Sequence, residues 1–249
     1  MTLERAVVSG FWCKEFFVGH DRCAMKVGTD AFLLGAWATL PKAGPALDIG
    51  TGSGILSLML AQRLQKSGVT PAIFAVELDQ EAALQAQDNV AASRWATQIH
   101  VIQADILTYA ATDNQPEHGF ELIISNPPYF QQSLAAADAK RHQARHTDSL
   151  SFTDLARVAR QLAAPDAHFC LVLPADVDFS AVAEQAGWGL QRRCLVKTTA
   201  HKAAKLQLLD FSASAVSGQV EQTELLIQQS PGQYSDAYRT LLADFYLRF

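Results

Sequence analysis

The stretch Ala46-Leu-Asp-Ile-Gly-Thr-Gly-Ser-Gly54 decides the fold of this 249-residue chain. Its first four residues predict a short buried strand, and residues 55–66 predict a helix. The alternate glycines between them allow a sharp turn and a close approach of the backbone to a ligand. Because residue 55 is Ile and no Gly-Lys-Ser/Thr ending follows, the stretch matches neither the dinucleotide fingerprint nor a phosphate-binding loop. The Asp48 carboxylate would repel a pyrophosphate, so we expect a ligand with an ammonium or sulfonium charge. The alternative is a plain tight turn.

Strand-like and helix-like segments alternate along the rest of the chain. The predicted strands are residues 46–49, 73–76, 99–102, 120–124, 169–173, 190–196 and 206–212. The predicted helices between them are residues 55–66, 80–93, 152–163 and 177–186. Residues 224–227 are a candidate for another strand, and residues 235–245 predict a final helix. This alternation predicts an α/β fold with a mostly parallel, seven-stranded sheet, helices on both faces and an antiparallel pair of late strands at one edge. Right-handed crossovers would bring the carboxyl ends of the parallel strands to one rim, where ligands bind.

Residues 1–45 form an extension before the first sheet strand. Residues 11–18 predict a strand, residues 23–27 a returning strand, and residues 31–37 a helix. The sequence contains no internal repeat and no low-complexity linker. We therefore expect this hairpin-and-helix extension to pack on a domain of residues 46–249, giving one structural domain overall.

Composition excludes several classes of protein. No run of about 18 apolar residues predicts a membrane span, and the first residues lack the basic start and apolar core of a secretory signal. The four cysteines contain no C-x-x-C pair, which indicates reduced thiols and a cytoplasmic protein. Cys13, His20 and Cys23 match no common zinc spacing, so we expect no metal site. The sequence leaves the oligomeric state open and is compatible with a monomer.

Basic residues are concentrated in two stretches, although the net charge is −5. Residues 187–209 contain no acidic residue, and their basic residues are Arg192, Arg193, Lys197, Lys202 and Lys205. The second stretch contains Lys140, Arg141 and Arg145, with His142 and His146 between or beside them. Such a pattern on an acidic protein indicates a local polyanionic partner. The alternative is a solvated loop with a charged edge strand that prevents aggregation.

Two further acidic residues follow predicted strands. Glu77 ends the second strand, where a carboxylate can accept two hydrogen bonds from a ribose diol. Asp105 follows the third, where it can accept from the exocyclic amine of an adenine, with Leu78 and Ile106 as apolar walls. Each acid alone could equally be a helix N-cap. With Asp48, they place three acids on three successive strand ends around a glycine loop, which favours a binding site.

The stretch Ser125-Asn-Pro-Pro-Tyr129 ends the fourth predicted strand. The two prolines remove two N–H donors and fix φ, and the first also holds Asn126 in an extended conformation. The strand end therefore presents a carboxamide, bare carbonyls and an aromatic ring, which suit a flat, amine-bearing group. The alternative is a simple turn, since Asn and Pro are common turn residues.

Together these motifs resemble those of class I S-adenosylmethionine-dependent methyltransferases that methylate amino groups, which have a Rossmann-like fold. One block of sequence restricts the resemblance to a subfamily. This block is His20-Asp-Arg-Cys-Ala-Met-Lys-Val-Gly-Thr-Asp30, followed by Leu33-Leu-Gly-Ala-Trp37. It is similar to the bacterial methyltransferases that modify adenine N6 in a valine tRNA, directly 3′ of the anticodon. The resemblance covers most of the chain and implies S-adenosylmethionine as cofactor and tRNA as partner.

The resemblance implies a role for each matching residue. The residues that would bind the cofactor are Lys26, Thr29, Asp30, Asp48, Gly50, Gly52, Gly54, Glu77, Leu78, Asp105, Ile106 and Asn126. Within this set the glycines contact the methionine part, and Asp48 lies near its ammonium group. Glu77 binds the ribose hydroxyls and Asp105 the adenine amine, while residues 25–30 close over the cofactor.

The catalytic residues implied are Asn126, Pro127, Pro128 and Tyr129. The Asn126 side-chain oxygen and the Pro127 carbonyl each accept one N–H of the target amine, and Tyr129 stacks on the base. The residues expected to contact RNA are Arg22, Tyr129, Lys140, Arg141, Arg145, Lys197, Lys202 and Lys205.

Other functions share these motifs. Glutamine side-chain methyltransferases that act on release factors also resemble the Asn-Pro-Pro-Tyr pattern, because the carboxamide nitrogen of their substrate presents the same two N–H groups. DNA adenine methylation uses similar chemistry. A different class of function is a non-catalytic RNA-binding or assembly protein on a methyltransferase scaffold, against which the complete set of motifs argues.

Overall fold

The computed structural model describes residues 9–128, 150–214 and 219–249. The strands in these ranges are β1 (Gly10–Trp12), β2 (Phe17–Gly19), β3 (Ala46–Ile49), β4 (Ile73–Glu77), β5 (Ile99–Gln103), β6 (Phe120–Ser125), β7 (Ala163–Pro174), β8 (Gly189–Lys197), β9 (Leu206–Ser212), β10 (Glu221–Leu226), β11 (Gln228–Ser230) and β12 (Gln233–Tyr234). The helices are α1 (Thr29–Trp37), α2 (Ile55–Ser67), α3 (Gln80–Ala91), α4 (Ile106–Tyr109), α5 (Phe152–Leu162), α6 (Ser180–Gln185) and α7 (Asp236–Leu242).

The central sheet has the strand order β10-β8-β9-β7-β6-β3-β4-β5 in the described ranges. Strands β3 to β7 pair in parallel, β9 is antiparallel to both β7 and β8, and β10 pairs in parallel with β8. The predicted α/β class, the mostly parallel sheet and the antiparallel β8–β9 pair are confirmed. The described sheet has eight strands rather than the seven expected, because β10 adds a strand beyond β8.

One rim of the sheet collects the residues of interest. Asp48 pairs with Ala75 on one side and with Ile124 on the other, so β3, β4 and β6 end at the same level. Pro174 at the end of β7 pairs with Leu206, the first residue of β9. The connection between β8 and β9, residues 198–205, therefore stands on this same rim.

Both faces of the sheet are buried, which explains the nearly continuous apolar runs of its central strands. Side chains alternate along β7: Cys170 and Val172 join the core on the side of α1 and α2. Phe169 and Leu171 join the core on the side of α5 and α6. A parallel sheet covered in this way keeps its functional groups at the strand ends rather than on its faces.

The N-terminal hairpin differs from the prediction. Residues 11–18 were expected to form one strand, but they contain most of β1, a turn and most of β2, with Cys13 N donating to Phe16 O at 2.8 Å. The strand predicted for residues 23–27 is wrong. Val27 N donates to His20 Nδ1 at 3.1 Å, and Lys26 Nζ donates to His20 O at 2.9 Å, which closes this segment into a loop.

The extension shares its core with the end of the chain. Cys13 and Tyr246 form an isolated antiparallel bridge, and the ring centroids of Phe32 and Tyr246 lie 4.8 Å apart. Lys14 Nζ donates to the Phe249 carbonyl at 2.8 Å. These contacts join β1, α1 and the segment after α7 in the same hydrophobic core as α2 and one face of the sheet.

A buried carboxylate joins the extension to the sheet. Asp210 on β9 accepts from Thr39 Oγ1 at 2.6 Å and from Arg192 Nε at 3.0 Å. His168 Nδ1 lies 2.8 Å from its other oxygen, and the Arg192 guanidinium lies 4.2 Å from the centroid of the Trp37 ring. Burial alone would raise the pKa of Asp210, but the bonds from His168 and Thr39 and the charge of Arg192 lower it. Arg192, one of the cations of the basic stretch, is thus paired with Asp210 and only partly exposed.

Among the helices of the described ranges, none has both the length and the apolar character needed to cross a membrane.

We predict that Asp210→Ala lowers the free energy of unfolding by about 3–5 kcal/mol, because it leaves a partly buried guanidinium and a hydroxyl without their acceptor. Urea unfolding followed by circular dichroism measures this. Asp166→Ala is the control, since Asp166 pairs with Lys42 at 3.7 Å with both side chains exposed, and its loss should cost less than about 0.5 kcal/mol. Equal stability of the two variants would contradict the role of Asp210.

Candidate active site

The glycine loop between β3 and α2 has a backbone that only glycine adopts readily. Gly50, Gly52 and Gly54 have φ angles of +71°, +56° and +81°, all in the left-handed region. A Cβ built on Gly50 or Gly52 would meet no atom within 4 Å. These two glycines therefore border open space, and side chains there would fill it. An open, backbone-lined surface of this kind fits the methionine part of S-adenosylmethionine.

Asp48 lies beneath the loop and is fully buried. Its Oδ2 accepts from Thr51 Oγ1 at 2.6 Å and from Ser57 Oγ at 2.8 Å. Its Oδ1 is buried and has no hydrogen-bond partner in the described ranges. Burial raises the pKa of Asp48 to about 6, even though the two hydroxyls lower it, and the charge of Glu77 raises it further. A buried, incompletely satisfied carboxylate of this kind gains from a nearby cation.

Glu77 braces the loop from the neighbouring strand. Its Oε2 accepts from Gly52 N at 2.8 Å, and its Oε1 accepts from Asp79 N at 2.9 Å. A carboxylate has about four acceptor positions, so these two bonds leave capacity for the ribose hydroxyls predicted from the sequence. The same side chain thus shapes the loop and presents acceptors at the rim.

Asp105, which follows β5, was considered from the sequence both as a helix N-cap and as an acceptor for an adenine amine, and its surroundings are compatible with both roles. Asp105 is the N-cap of α4, and its Oδ1 accepts from Leu107 N at 2.7 Å. Its side chain is otherwise exposed at the rim, as an adenine-binding role requires. Ile106 is buried, whereas Leu78 is 51% exposed beside Glu77, so an apolar surface is available on that side.

Asn126 stands at the end of β6, next to the glycine loop. Ser125, the last residue of β6, pairs with Ile49 and donates its hydroxyl to the Ile49 carbonyl at 2.9 Å. Asn126 Oδ1 is buried and has no hydrogen-bond partner in the described ranges. Because buried acceptors are nearly always satisfied, this one marks a place for an incoming donor. Pro127 is half-buried and Pro128 exposed, and Tyr129 lies outside the described residues.

The N-terminal block approaches the same rim. Burial raises the pKa of Cys23 to about 11, and the nearby carboxylate of Glu77 adds to this shift. Arg22 N donates to Gln85 Oε1 at 3.4 Å, so the loop of residues 20–27 lies against α3, the helix that follows β4. Lys26 is exposed, Thr29 is the first residue of α1 and Asp30 lies in the first turn of that helix.

The basic residues expected to contact RNA have different surroundings. Arg22 forms an ion pair with Asp88, and Lys197 pairs with Glu224 at 2.7 Å. Lys202 and Lys205 are exposed on the β8–β9 connection. The other predicted contacts, Lys140, Arg141 and Arg145, lie outside the described residues.

Sequence reasoning missed Asn89 on α3, which contacts both the hairpin and the glycine loop. The available signal was an Asn on the predicted buried face of a helix, where this residue type is unfavourable without a specific partner. In the described part of the chain, no three His, Cys, Asp or Glu side chains are grouped to hold a metal ion.

The fold, the open glycine loop and the acids on successive strand ends define a class I methyltransferase that uses S-adenosylmethionine. Residues 24–148 match the family model of the methyltransferase small domain. The chain is 47% identical to the tRNA1(Val) (adenine(37)-N6)-methyltransferase of Cronobacter sakazakii, over 96% of this chain and 95% of that one. It is 44% identical to the enzyme of the same name from Photorhabdus laumondii, over 96% of each. The chain belongs to the tRNA1(Val) (adenine(37)-N6)-methyltransferase family.

Solved structures support the fold. A protein from Agrobacterium tumefaciens described as a predicted O-methyltransferase superposes with a TM-score of 0.62 at 19% identity, over 87% of this chain and 96% of that one. The 16S rRNA N2 G1207 methyltransferase of T. thermophilus superposes with a TM-score of 0.54 at 20% identity, over 82% and 50%. At these identities the likeness establishes the architecture alone.

We predict that affinity for S-adenosylhomocysteine, which retains the ammonium group, rises about tenfold between pH 5 and pH 7 and then levels off. A cation binds the ionised form of Asp48, and a group with a pKa of about 6 is only about one-tenth ionised at pH 5. The stability of the ligand-free protein changes with pH in the opposite direction. Its folded state binds the extra proton between pH 3.8 and about 6, so it loses stability as the pH rises through this window.

Calorimetric titration at several pH values tests this coupling. In the Asp48→Asn variant we expect weaker binding at pH 7 and a flat pH dependence. The same pH dependence in the variant as in the wild type would assign the titration to another group.

Proposed function

We propose that this protein transfers a methyl group from S-adenosylmethionine to N6 of an adenine in tRNA, the adenine 3′ of the anticodon of a valine tRNA. The observation that carries the proposal is the Oδ1 of Asn126 beside the glycine loop, which is buried and has no hydrogen-bond partner among the residues that the structure describes. An exocyclic amine is the donor that this acceptor lacks. The relatives that align over nearly the whole chain are named tRNA1(Val) (adenine(37)-N6)-methyltransferases, which supports adenine N6 as the amine and tRNA as the substrate.

Asn126 and Pro127 would act on the amine by shaping it. The lone pair of an adenine amine is delocalised into the ring, which makes the amine a poor nucleophile. When Asn126 Oδ1 accepts one N–H and the Pro127 carbonyl accepts the other, the nitrogen is drawn towards a tetrahedral geometry. Its lone pair would then form the new N–C bond while the C–S bond of the methyl donor breaks and its sulfur leaves as a neutral thioether. The extra proton on the nitrogen would pass to solvent water after the bond has formed. No ionised base is required before attack.

S-adenosylmethionine supplies, when bound, a methyl group activated by the charge of its sulfonium. Gly50 and Gly52 would hold its methionine part, Glu77 would bind its ribose, and Asp105 would bind its adenine. The buried negative charge of Asp48 would attract its ammonium group. Lys26, Thr29 and Asp30 belong to the segment that would cover it, and Leu78 and Ile106 would contact the adenine faces. Positioning of this kind contributes up to about 7–11 kcal/mol to lowering a barrier.

The β8–β9 connection offers a surface for the tRNA backbone. Neighbouring strands in a sheet are about 4.8 Å apart, and β9 is two strands from β6. Ser125 is level with Leu171 and Leu209, so Lys205, which directly precedes β9, lies about 10 Å sideways from Asn126 and about 10 Å further along the strand direction, about 14 Å in all. At this distance its long side chain can meet a phosphate of a neighbouring nucleotide. Lys202 extends this surface, and Arg22 and Lys197 could exchange their exposed carboxylate partners for phosphates, since surface ion pairs are weak.

An anticodon loop suits such a site. Its bases are unpaired, so turning one out costs little. We propose that Tyr129 stacks on the extruded base, and that Lys140, Arg141 and Arg145 bind the flanking backbone. We further propose that residues 1–45 and 46–249 act as one structural domain, and that the reaction takes place in the cytoplasm, where tRNA is processed.

The reaction class is tested by incubating the purified protein with methyl-labelled S-adenosylmethionine and either unmodified bulk tRNA or release factor, followed by nucleoside and amino-acid analysis. Labelled N6-methyladenosine in tRNA supports the proposal. Labelled methylglutamine in protein would point to the rival substrate, and no transfer to either would indicate a non-catalytic protein.

We predict that Asn126→Ala lowers turnover at least about a hundredfold, because it removes one acceptor of the amine. Its affinity for S-adenosylhomocysteine should stay within about threefold of the wild type. Single-turnover methylation of tRNA measures the methyl transfer, and calorimetry measures the affinity for S-adenosylhomocysteine. Asn114→Ala, which removes an exposed carboxamide before β6, is the matched control and should be fully active. Near-normal turnover of the Asn126 variant would refute the mechanism.

We predict that Lys205→Glu weakens tRNA binding about threefold to tenfold near 0.1 M salt and lowers the slope of log Kd against log salt by about 1. Lys42→Glu is the charge-matched control. Lys42 precedes β3 and its backbone N–H contacts Glu121 near the start of β6, so it lies at the opposite rim. Filter binding over a salt series compares the two. Equal losses would mean that only net charge matters, and that the β8–β9 connection is not the RNA surface.

A further inference from the structure

The Asn89 carboxamide makes three hydrogen bonds to backbone groups of two distant segments. Its Oδ1 accepts from Gly19 N at 2.9 Å, and its Nδ2 donates to Gly19 O at 2.8 Å and to Ser53 O at 2.8 Å. Asn89 is only 5% exposed. Gly19 is the last residue of β2, and Ser53 stands between two left-handed glycines of the glycine loop. A single side chain on α3 thus joins the extension to the loop.

Other residues of α3 support the same junction. Gln85 lies one turn before Asn89, and its Oε1 accepts from Arg22 N at 3.4 Å, while Asp88 forms an ion pair with the Arg22 side chain. On the adjoining surface, a Cβ built on Gly54 would lie 3.4 Å from the Ala86 Cβ, so the helix packs directly on the loop. Residues at these spacings share one side of a helix. That side of α3 contacts both the segment after β2 and the glycine loop.

Both joined segments belong to the cofactor site. Gly19 leads directly into residues 20–30, and Arg22 N of that segment donates to Gln85 Oε1 at 3.4 Å, on the helix that begins shortly after the end of β4. Ser53 belongs to the loop whose glycines border the open space. We infer that Asn89 is a positioning residue: it couples residues 19–30 to the glycine loop and thereby sets the affinity for S-adenosylmethionine. This inference rests on the proposed function, since it needs the cofactor to bind between these segments.

Only a carboxamide meets the demands of this position. The three backbone groups require one acceptor and two donors, which Asn provides and Asp does not. In Asn89→Asp the shape is kept and Gly19 N retains its acceptor, but the carbonyls of Gly19 and Ser53 face a carboxylate. The matched control is Gln62→Glu on α2. Gln62 is also a buried carboxamide, donating to Asp244 O at 2.8 Å, and it joins α2 to the C-terminal segment instead of to the glycine loop.

Calorimetric titration of each full-length variant with S-adenosylhomocysteine tests the inference, with thermal unfolding measured alongside. We expect Asn89→Asp to raise the Kd at least tenfold and Gln62→Glu to change it less than twofold at a comparable loss of Tm. Affinity for tRNA without cofactor should remain within twofold of the wild type in both. If Asn89→Asp does not fold, Asn89→Ser, which leaves room for water, should show the same direction with a smaller change.

Hydrogen exchange tests the coupling separately from stability, because a loss of stability alone would not change which segments the ligand protects. In the wild type, S-adenosylhomocysteine should slow exchange in residues 19–30 and in residues 50–54 together. In the variant at saturating ligand, we expect slowing in residues 50–54 without slowing in residues 19–30.

Three results would overturn the inference: unchanged affinity in the Asn89 variants, an equal loss in Gln62→Glu, or slowing of both segments in the variant. Failure of the wild type to bind S-adenosylhomocysteine at all would refute the proposed function, and the inference with it.

Discussion

The left-handed backbone of the glycine loop is the constraint on which the site depends. Three glycines with positive φ turn the chain from β3 into α2 while leaving one side of the loop open. Such a loop has few side chains of its own to hold it, so its neighbours do so. Glu77 accepts from Gly52, Asn89 donates to Ser53, and the Ser125 hydroxyl donates to Ile49 at the base of the loop. Glu77, the residue proposed to bind the ribose, is thus also a support of the loop, whereas Asn89 and Ser125 support it without a proposed contact to the ligand.

Charge is divided along the rim. Carboxylates lie at the ends of β3, β4 and β5, and one of them, Asp48, is buried with a raised pKa. This side suits a cationic cofactor. Exposed lysines lie on the connection between β8 and β9, on the other side of Asn126. This side suits a phosphate backbone. The net charge of −5 is thus no obstacle to an RNA substrate, because the charges are separated along one edge.

The central strands and the site motifs could be predicted because local sequence determines them. Residues 46–49 and 206–212 were predicted as strands with the bounds that the structure has, since each is a short segment rich in apolar residues. The hairpin turn within residues 11–18 was missed because it contains no Gly or Pro. The loop at residues 23–27 depends on the ring of His20, and a single sequence does not reveal such a contact.

Long-range partners explain the remaining differences. Arg192 looked like part of a basic surface, yet it faces Asp210 on the next strand. Asn89 looked like an ordinary helix residue, yet it joins segments that are distant in sequence. Glu77 and Asp105 were predicted at strand ends, and the structure adds their backbone partners, which propensity and spacing do not contain. These hydrogen-bond partners come from distant parts of the chain, and the topology of the fold determines which residues meet.

The most direct test of the central claim is a crystal structure of the protein with S-adenosylhomocysteine and the anticodon stem-loop of a valine tRNA. We predict that the adenine 3′ of the anticodon is turned out of the loop. Its N6 should lie at hydrogen-bond distance, about 2.7–3.2 Å, from both Asn126 Oδ1 and the Pro127 carbonyl. An adenine that remains stacked in the loop, or an N6 held by other groups while Asn126 Oδ1 stays unpaired, would contradict the account.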